Sequence, residues 1–136
     1  MKKSQNRWRL VAALLWLALI YFQSALPAST SQAESGGLLA LVQTVFPWMT
    51  HRLIRKIAHF AEYAVLGALL AAFFVRVREP SLLKPLSFGA FAALGDETLQ
   101  LFVPGRSGQL SDVWLDTAGV ACGALAVWLI HKIRKH

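Results

Sequence analysis

Four apolar segments, each close to the length that a helix needs to cross a lipid bilayer, dominate this sequence. They cover residues 10–26, 57–75, 86–103 and 113–130. A spanning helix needs about 17 to 25 predominantly apolar residues. The chain has 136 residues, of which 56% are hydrophobic and 15% are charged, and this composition lies outside the usual soluble range. The sequence therefore predicts an all-α integral membrane four-helix bundle that forms one domain over residues 1–136.

The first apolar segment has two interpretations, because basic residues precede it and small residues follow it. Lys2, Lys3, Arg7 and Arg9 come before it, and the stretch "SALPAS" follows its apolar core. This order of features is also typical of a cleaved signal peptide. Pro27 interrupts the small-x-small pattern of a cleavage site, which favours a retained span.

The positions of the charged residues predict the orientation of the four segments. Basic residues near the ends of spans favour the cytoplasmic side. If both termini are cytoplasmic, ten of the fourteen basic residues fall inside, and only Arg52, Arg55, Lys56 and Arg106 fall outside. Six of the seven acidic residues fall outside, and Glu79 alone falls inside. We therefore predict a multi-pass protein of the cell membrane with both termini in the cytoplasm.

The excess of basic residues does not indicate a nucleic-acid partner. The formal net charge is +7, but the basic residues form short clusters at the ends of apolar runs. A nucleic-acid binder instead carries a basic patch on a soluble surface, with aromatic side chains among the cations. The partners predicted from this pattern are membrane lipids, and the oligomeric state is not predicted.

The connection between the first two segments divides into a polar part and an apolar part. Residues 27–37, "PASTSQAESGG", are small and polar and predict a flexible loop. Residues 38–49, "LLALVQTVFPWM", place apolar side chains at helical spacing. This spacing fits a short helix lying on the membrane surface. It fits a lid that packs on the bundle equally well, and both interpretations stay open.

Ionisable residues lie within three of the apolar segments, where each costs at least about 2.5 kcal/mol to insert. At the helical rise per residue, Glu62, Asp96 and Asp116 lie roughly 9, 12 and 6 Å below the outer ends of their helices. Arg106 lies in the loop "VPGRSG" above them. Polar groups at one level on three helices predict a polar pocket that opens on the extracytoplasmic side.

The candidate site residues follow from this pocket. The candidate catalytic residues are the imidazole and the carboxylates that could exchange protons near neutral pH: His59, Glu62, Asp96 and Glu97. The candidate substrate-binding residues share their helix faces or lie in the loop above: Lys56, Tyr63, Gln100, Arg106, Asp112 and Asp116. Among them, Lys56 and Arg106 could hold a phosphate or a carboxylate through charged hydrogen bonds.

No metal site or cofactor is predicted from the sequence. Some of the candidate catalytic residues have side chains that zinc or manganese accepts, but no HExxH pair or other fixed ligand spacing occurs. The single cysteine, Cys122, lies in an apolar run and offers neither a disulfide nor a cysteine metal site.

Two long stretches resemble the signatures of the VanZ-like membrane proteins. They are "RKIAHFAEYAVLGALL", residues 55–70, and "DETLQLFVPGRSGQLSDVWLDTAGVACG", residues 96–123; "FQSALP" after the first segment is also similar. Position by position, the family pattern corresponds to Lys56, His59, Phe60, Glu62, Tyr63, Gly67, Asp96, Glu97, Gln100, Pro104, Gly105, Arg106, Asp112, Gly119 and Gly123. This chain departs from the pattern at Asp116, where the family commonly has asparagine.

The resemblance implies an integral membrane protein, in a family named for a member associated with low-level teicoplanin resistance. The polar pocket and this resemblance lead us to expect a protein that acts on a lipid-linked or cell-envelope substrate and is linked to glycopeptide tolerance. A non-catalytic protein that binds an envelope ligand is the alternative, so catalysis stays open.

The polar residues allow two further interpretations besides a substrate site and a ligand-binding site. Transport or proton relay is disfavoured, because small residues in the inner halves of the segments predict tight packing. In the second interpretation, the polar groups have a purely structural role and join the helices through salt bridges, such as Lys56 to Asp112 or Arg106 to Asp96.

Overall fold

The computed structural model describes residues 2–75 and 81–134, with side chains described from Asn6 onward. This part of the chain forms α-helices and no strand, so the predicted all-α class is confirmed for it. The helices are α1 (Lys2–Ala25), α2 (Ala28–Gln43), α3 (His51–Phe74), α4 (Leu83–Gln100) and α5 (Leu110–Ile133). The predicted orientation also used four charged residues that lie outside the described residues: Arg76, Arg78, Glu79 and Lys135.

Three of the described helices are long and apolar enough to cross a membrane. They are Asn6–Ala25 of α1, His51–Phe74 of α3 and Leu110–Ile133 of α5. The remaining predicted span, residues 86–103, corresponds to α4, which has 18 residues and ends at Gln100. This helix is long enough, but Lys84, Asp96 and Glu97 lower its hydropathy, so α4 does not qualify by composition. A fourth span stays a prediction.

Glycines bring α3 and α5 into backbone contact. A Cβ atom added at Gly123 would lie 2.9 Å from the amide nitrogen of Ala68 and closer still to the carbonyl of Ala64. A Cβ atom at Gly119 would lie 2.5 Å from the carbonyl oxygen of Phe60. Small residues allow such close approach of helices in membranes. The two glycines of "GVACG" therefore pack within the bundle.

Gly123→Ala is expected to destabilise the bundle, because the added methyl group must push α3 and α5 apart. Overpacking of this kind costs about 1–3 kcal/mol. Gly37→Ala is the matched control, since nothing lies within 4 Å of a Cβ atom at Gly37. Thermal unfolding in mild detergent measures both variants. Equal unfolding temperatures for the two variants would contradict the close contact between α3 and α5.

The first helix contributes to the core of the bundle. Ile20 is buried with Tyr63 of α3, Ala93 of α4 and Val120 of α5. Two aromatic side chains of α1 also join it to its neighbours, as the Trp16 indole donates to the Glu62 carbonyl at 2.9 Å and the Tyr21 hydroxyl donates to the Ala92 carbonyl at 2.8 Å.

The loop prediction for residues 27–37 is wrong, because α2 begins at Ala28. Pro27 precedes the helix with φ −53°, and the Ala28 amide donates to the Pro104 carbonyl at 3.2 Å. The Ser35 hydroxyl donates to the Ser31 carbonyl at 2.8 Å, within the helix. Tertiary contacts therefore outweigh the weak helix propensity of this stretch. Of the helix predicted over residues 38–49, only residues 38–43 are helical; they are the last six residues of α2, which ends at Gln43. The position of this helix relative to a membrane stays a prediction.

Candidate functional site

The imidazole of His59 lies between two buried carboxylates. Its Nδ1 atom is 3.6 Å from Oδ2 of Asp96 on α4 and 3.7 Å from Oδ2 of Asp116 on α5. Asp96 is 0% exposed and Asp116 is 1% exposed. Three helices therefore bring three of the predicted site residues into one cluster, which we call the His–Asp cluster: His59, Asp96 and Asp116.

Few hydrogen bonds satisfy the carboxylates of the His–Asp cluster. Gln100 Nε2 donates to Oδ2 of Asp96 at 3.3 Å. Oδ1 of Asp96 and both carboxylate oxygens of Asp116 are buried and have no hydrogen-bond partner among the described residues. Buried polar atoms in proteins normally have partners, so these oxygens require an explanation.

Glu97 connects α4 to the start of α5. Its Oε2 atom accepts a hydrogen bond from the backbone amide of Gln109 at 2.9 Å, and its Oε1 atom accepts one from Gln100 Nε2 at 3.3 Å. Gln109 is the N-cap residue of α5. A carboxylate is favourable at this position because the N-terminus of a helix carries a partial positive charge.

The predicted salt bridge between Lys56 and Asp112 is present, and it joins α3 to α5. Both side chains are part-exposed, at 31% and 22%. An exposed pair of this kind contributes at most about 1 kcal/mol to stability. Lys56 is therefore held in place by a carboxylate that a bound anion would have to displace or share.

The alternative salt bridge from Arg106 to Asp96 is not formed, because the guanidinium of Arg106 binds the end of α1 and the start of α2. Its Nε atom donates to the Leu26 carbonyl at 2.8 Å. Its Nη2 atom donates to the Gln23 carbonyl at 2.9 Å and to the Ser31 hydroxyl at 2.7 Å. Arg106 therefore joins three parts of the fold.

The environment of Arg106 is cationic and partly desolvated. Burial, together with the charge of Arg55, lowers the pKa of the Arg106 guanidinium. Arginine nevertheless stays protonated in proteins. Its Nη1 atom is buried and has no hydrogen-bond partner among the described residues.

A cavity of about 680 Å³ lies between α2, α3 and the loop after α4. Its charged lining comprises Arg52, Arg55, Arg106, Glu34 and Glu62, together with the imidazoles of His51 and His59. Three arginines against two glutamates give this lining a net positive charge when both histidines are neutral. Ligand pockets for small molecules commonly have volumes of about 300–1,000 Å³, so this one is large enough for a headgroup.

A second, much smaller cavity of about 10 Å³ lies behind the first, and Arg55 and His59 line both. The predicted site residues Lys56, Glu97, Gln100, Asp112 and Asp116 complete most of its lining. The predicted site therefore divides between two neighbouring spaces, with His59 at the boundary.

Tyr63 lies deeper in the core than most of the predicted site residues, and Asp96, like Tyr63, lines neither cavity. Tyr63 is 0% exposed and donates from its hydroxyl to the Ala92 carbonyl at 3.3 Å. Its ring stacks on the imidazole of His59 with a centroid distance of 6.5 Å. Tyr63 thus supports His59 from within the core.

Several residues of this region are not among the predicted candidates, and Arg52, Arg55 and Ser24 are examples. Arg52 and Arg55 line the large cavity, and their spacing with His59 and Glu62, at intervals of three, four and three residues, was a usable signal for one helix face. Ser24 of α1 is 0% exposed, and its hydroxyl lies near the Asp96 carboxylate. A lone serine near the end of an apolar segment gave no comparable signal.

Comparison with known proteins gives a family and no individual relative. No curated protein and no solved structure shows significant similarity to the chain. The family model described as VanZ/LLP1 matches residues 9–131, which include all the residues of both cavities and of the His–Asp cluster. The chain therefore belongs to the VanZ/LLP1 family.

Proposed function

We propose that this protein binds the anionic headgroup of a lipid-linked or cell-envelope ligand in its large cavity. The observation that carries the proposal is the group of three arginines, Arg52, Arg55 and Arg106, around a space of about 680 Å³. Guanidinium groups form paired, charge-assisted hydrogen bonds with phosphates and carboxylates. Leu26, Leu38 and Ile54 also line the cavity and offer contacts to an apolar chain.

The proposal includes a fourth membrane span formed by α4. Phe88, Phe91 and Leu94 on this helix are 60%, 75% and 48% exposed. A soluble protein rarely exposes apolar groups of this size side by side. Lipid contact would account for this face, while the opposite face of α4 carries the buried Asp96 and Glu97.

The proposal also places the large cavity on the extracytoplasmic side, with both termini in the cytoplasm. The Arg9 guanidinium donates to the Ala72 carbonyl at 2.7 Å, so the start of α1 and the end of α3 share one end of the bundle. Arg106 and the end of α1 share the other end. The excess of basic residues near the first end supports a cytoplasmic position for it.

Catalysis on the bound ligand is a second candidate function, supported by the position of His59. The imidazole lines the large cavity beside Glu62 and lies near two carboxylates on its other side. An imidazole in such a position can act as a general acid or base. The link to glycopeptide tolerance follows from the same proposal, because altered handling of an envelope precursor would change the target of the antibiotic.

Titration of the purified protein in nanodiscs with a short-chain polyprenyl diphosphate, and separately with the corresponding alcohol, tests the proposal. We expect the diphosphate to bind at least about tenfold more tightly, since a hydrogen bond to a charged group contributes about 1.5–3 kcal/mol. Arg52→Ala with Arg55→Ala should remove this preference, whereas Arg134→Ala, at the other end of the bundle, should retain it. Equal affinity of the wild type for the two ligands would contradict the proposal. Release of phosphate during the same incubation would assign catalysis as well.

A further inference from the structure

We propose that the His–Asp cluster is a binding site for one divalent transition-metal ion, with zinc and manganese as the fitting elements. The ligand atoms would be Nδ1 of His59 and one carboxylate oxygen each from Asp96 and Asp116. These atoms all lie within 4.8 Å of one another. His59 also lines the arginine-lined cavity, but Asp96 and Asp116 do not, and the inference does not depend on the proposed ligand.

The distances within the cluster are those of ligands around an ion. Nδ1 of His59 lies 3.6 Å from Oδ2 of Asp96 and 3.7 Å from Oδ2 of Asp116. Both distances exceed the 2.7–3.2 Å range of a normal hydrogen bond. Two ligands on a tetrahedral zinc ion at about 2.1 Å are separated by about 3.4 Å, so the two distances from His59 need only a small adjustment.

The unpartnered oxygens are independent support for an ion. Asp116 is 1% exposed, and neither of its carboxylate oxygens has a hydrogen-bond partner among the described residues. Asp96 is 0% exposed and one of its oxygens is also without a partner. A metal ion would coordinate such oxygens directly and remove the need for hydrogen-bond donors.

The charge of the cluster leads to the same inference. Two ionised carboxylates carry a charge of −2. A protonated His59 would neutralise only one unit of this charge, whereas a divalent ion neutralises both. Without a cation, two carboxylates this deeply buried are unfavourable, because buried charges in proteins are paired or coordinate metals. Lys56 does not supply the charge to these carboxylates, since it pairs with Asp112.

The types of donor atom in the cluster restrict which metal ion can bind. One imidazole nitrogen and two carboxylate oxygens suit zinc or manganese, whereas calcium and magnesium prefer oxygen ligands alone. Three protein ligands leave a coordination position open, as in catalytic zinc sites. Gln100 Nε2, which donates to the Oδ2 atom of Asp96, would then orient a ligand from outside, as second-layer partners commonly do.

The test is the metal content of protein purified without a polyhistidine tag, after incubation with zinc or manganese and removal of unbound ion. Inductively coupled plasma mass spectrometry should find about one ion per chain in the wild type. Asp116→Asn preserves the shape of the side chain, and we expect it to reduce the content at least tenfold. His131→Ala removes a histidine at the other end of the bundle and should leave the content unchanged.

A second measurement keeps the test decisive if Asp116→Asn folds poorly. Chelation of the wild type should lower its thermal unfolding temperature, and addition of the same ion should restore it. Asp96→Asn, a conservative change of a second ligand, should abolish this response. A wild-type content below about one tenth of an ion per chain, or an equal content in the wild type and a folded Asp116→Asn or Asp96→Asn variant, would overturn the proposal.

Discussion

Arg106→Ala is expected to lower the stability of the folded protein by at least about 3 kcal/mol, because three hydrogen bonds from a charged donor are lost together. The guanidinium binds the carbonyls of Gln23 and Leu26 and the hydroxyl of Ser31. Without it, the end of α1 and the start of α2 lose their common partner. Thermal unfolding in detergent and the yield of monodisperse protein measure the effect.

Two comparisons separate this structural role from ligand binding by Arg106. Arg106→Lys keeps the charge but cannot reproduce the planar, forked donor, so its stability should be intermediate. Arg134→Ala removes an exposed arginine at the other end of the bundle and should leave stability nearly unchanged. An Arg106→Ala protein as stable as the wild type, yet unable to bind the diphosphate ligand, would assign Arg106 to the ligand alone.

In protein freed of metal ions, His59→Phe is expected to destabilise the bundle by about 3–5 kcal/mol. A protonated His59 is then the partner of the buried carboxylates, and its loss leaves a buried charge unpaired. The substitution keeps a ring of similar shape but removes the nitrogen atom that lies near the carboxylates of Asp96 and Asp116. The two carboxylates would then remain close together at nearly full burial. Thermal unfolding near neutral pH measures the loss.

The matched control is His51→Phe. His51 lies at the rim of the large cavity, where its Nδ1 atom is 3.3 Å from the Ser35 hydroxyl. Loss of this single contact should cost only about 1 kcal/mol.

Adding Asp116→Asn to His59→Phe should restore part of the stability, because one buried charge is removed. Failure of the second substitution to restore any stability would show that shape, and not charge, makes His59 important.

The apolar pattern was sufficient to predict the helices of the bundle but less accurate about their ends. The segments at residues 57–75 and 113–130 correspond to α3 and α5, although both helices begin earlier, at His51 and Leu110. The first turns of both helices mix polar and apolar residues, so a search for unbroken apolar runs places the start of each helix too late. Thr50 is the N-cap residue of α3, and its side chain accepts a hydrogen bond from the Leu53 amide. Threonine is a preferred residue at this position.

The common depth of the polar residues on three helices was predictable, because ionisable residues in apolar segments are costly to insert and seldom isolated. The proximity of His59 to Asp96 follows from this argument, and the bridge from Lys56 to Asp112 was correctly anticipated. The partners of Arg106 could not be predicted. They are mainly backbone carbonyls at the end of α1, and a free carbonyl has no signature in the side-chain sequence.

The start of α2 shows a second limit of sequence reasoning. Serine and glycine in residues 28–37 favour a loop by their local preferences. The Pro104 carbonyl accepts a hydrogen bond from the Ala28 amide, and Leu39 is buried. These contacts join residues far apart in the chain, so no local pattern contains them.

The most direct test of the proposed function is native mass spectrometry of the protein extracted from its own membrane in mild detergent. We predict a bound lipid that carries a phosphate or a carboxylate on the wild type and on Arg134→Ala. The same lipid should be absent from a folded Arg52→Ala/Arg55→Ala variant. Identical lipid content in all three proteins would contradict a ligand site among the arginines of the large cavity.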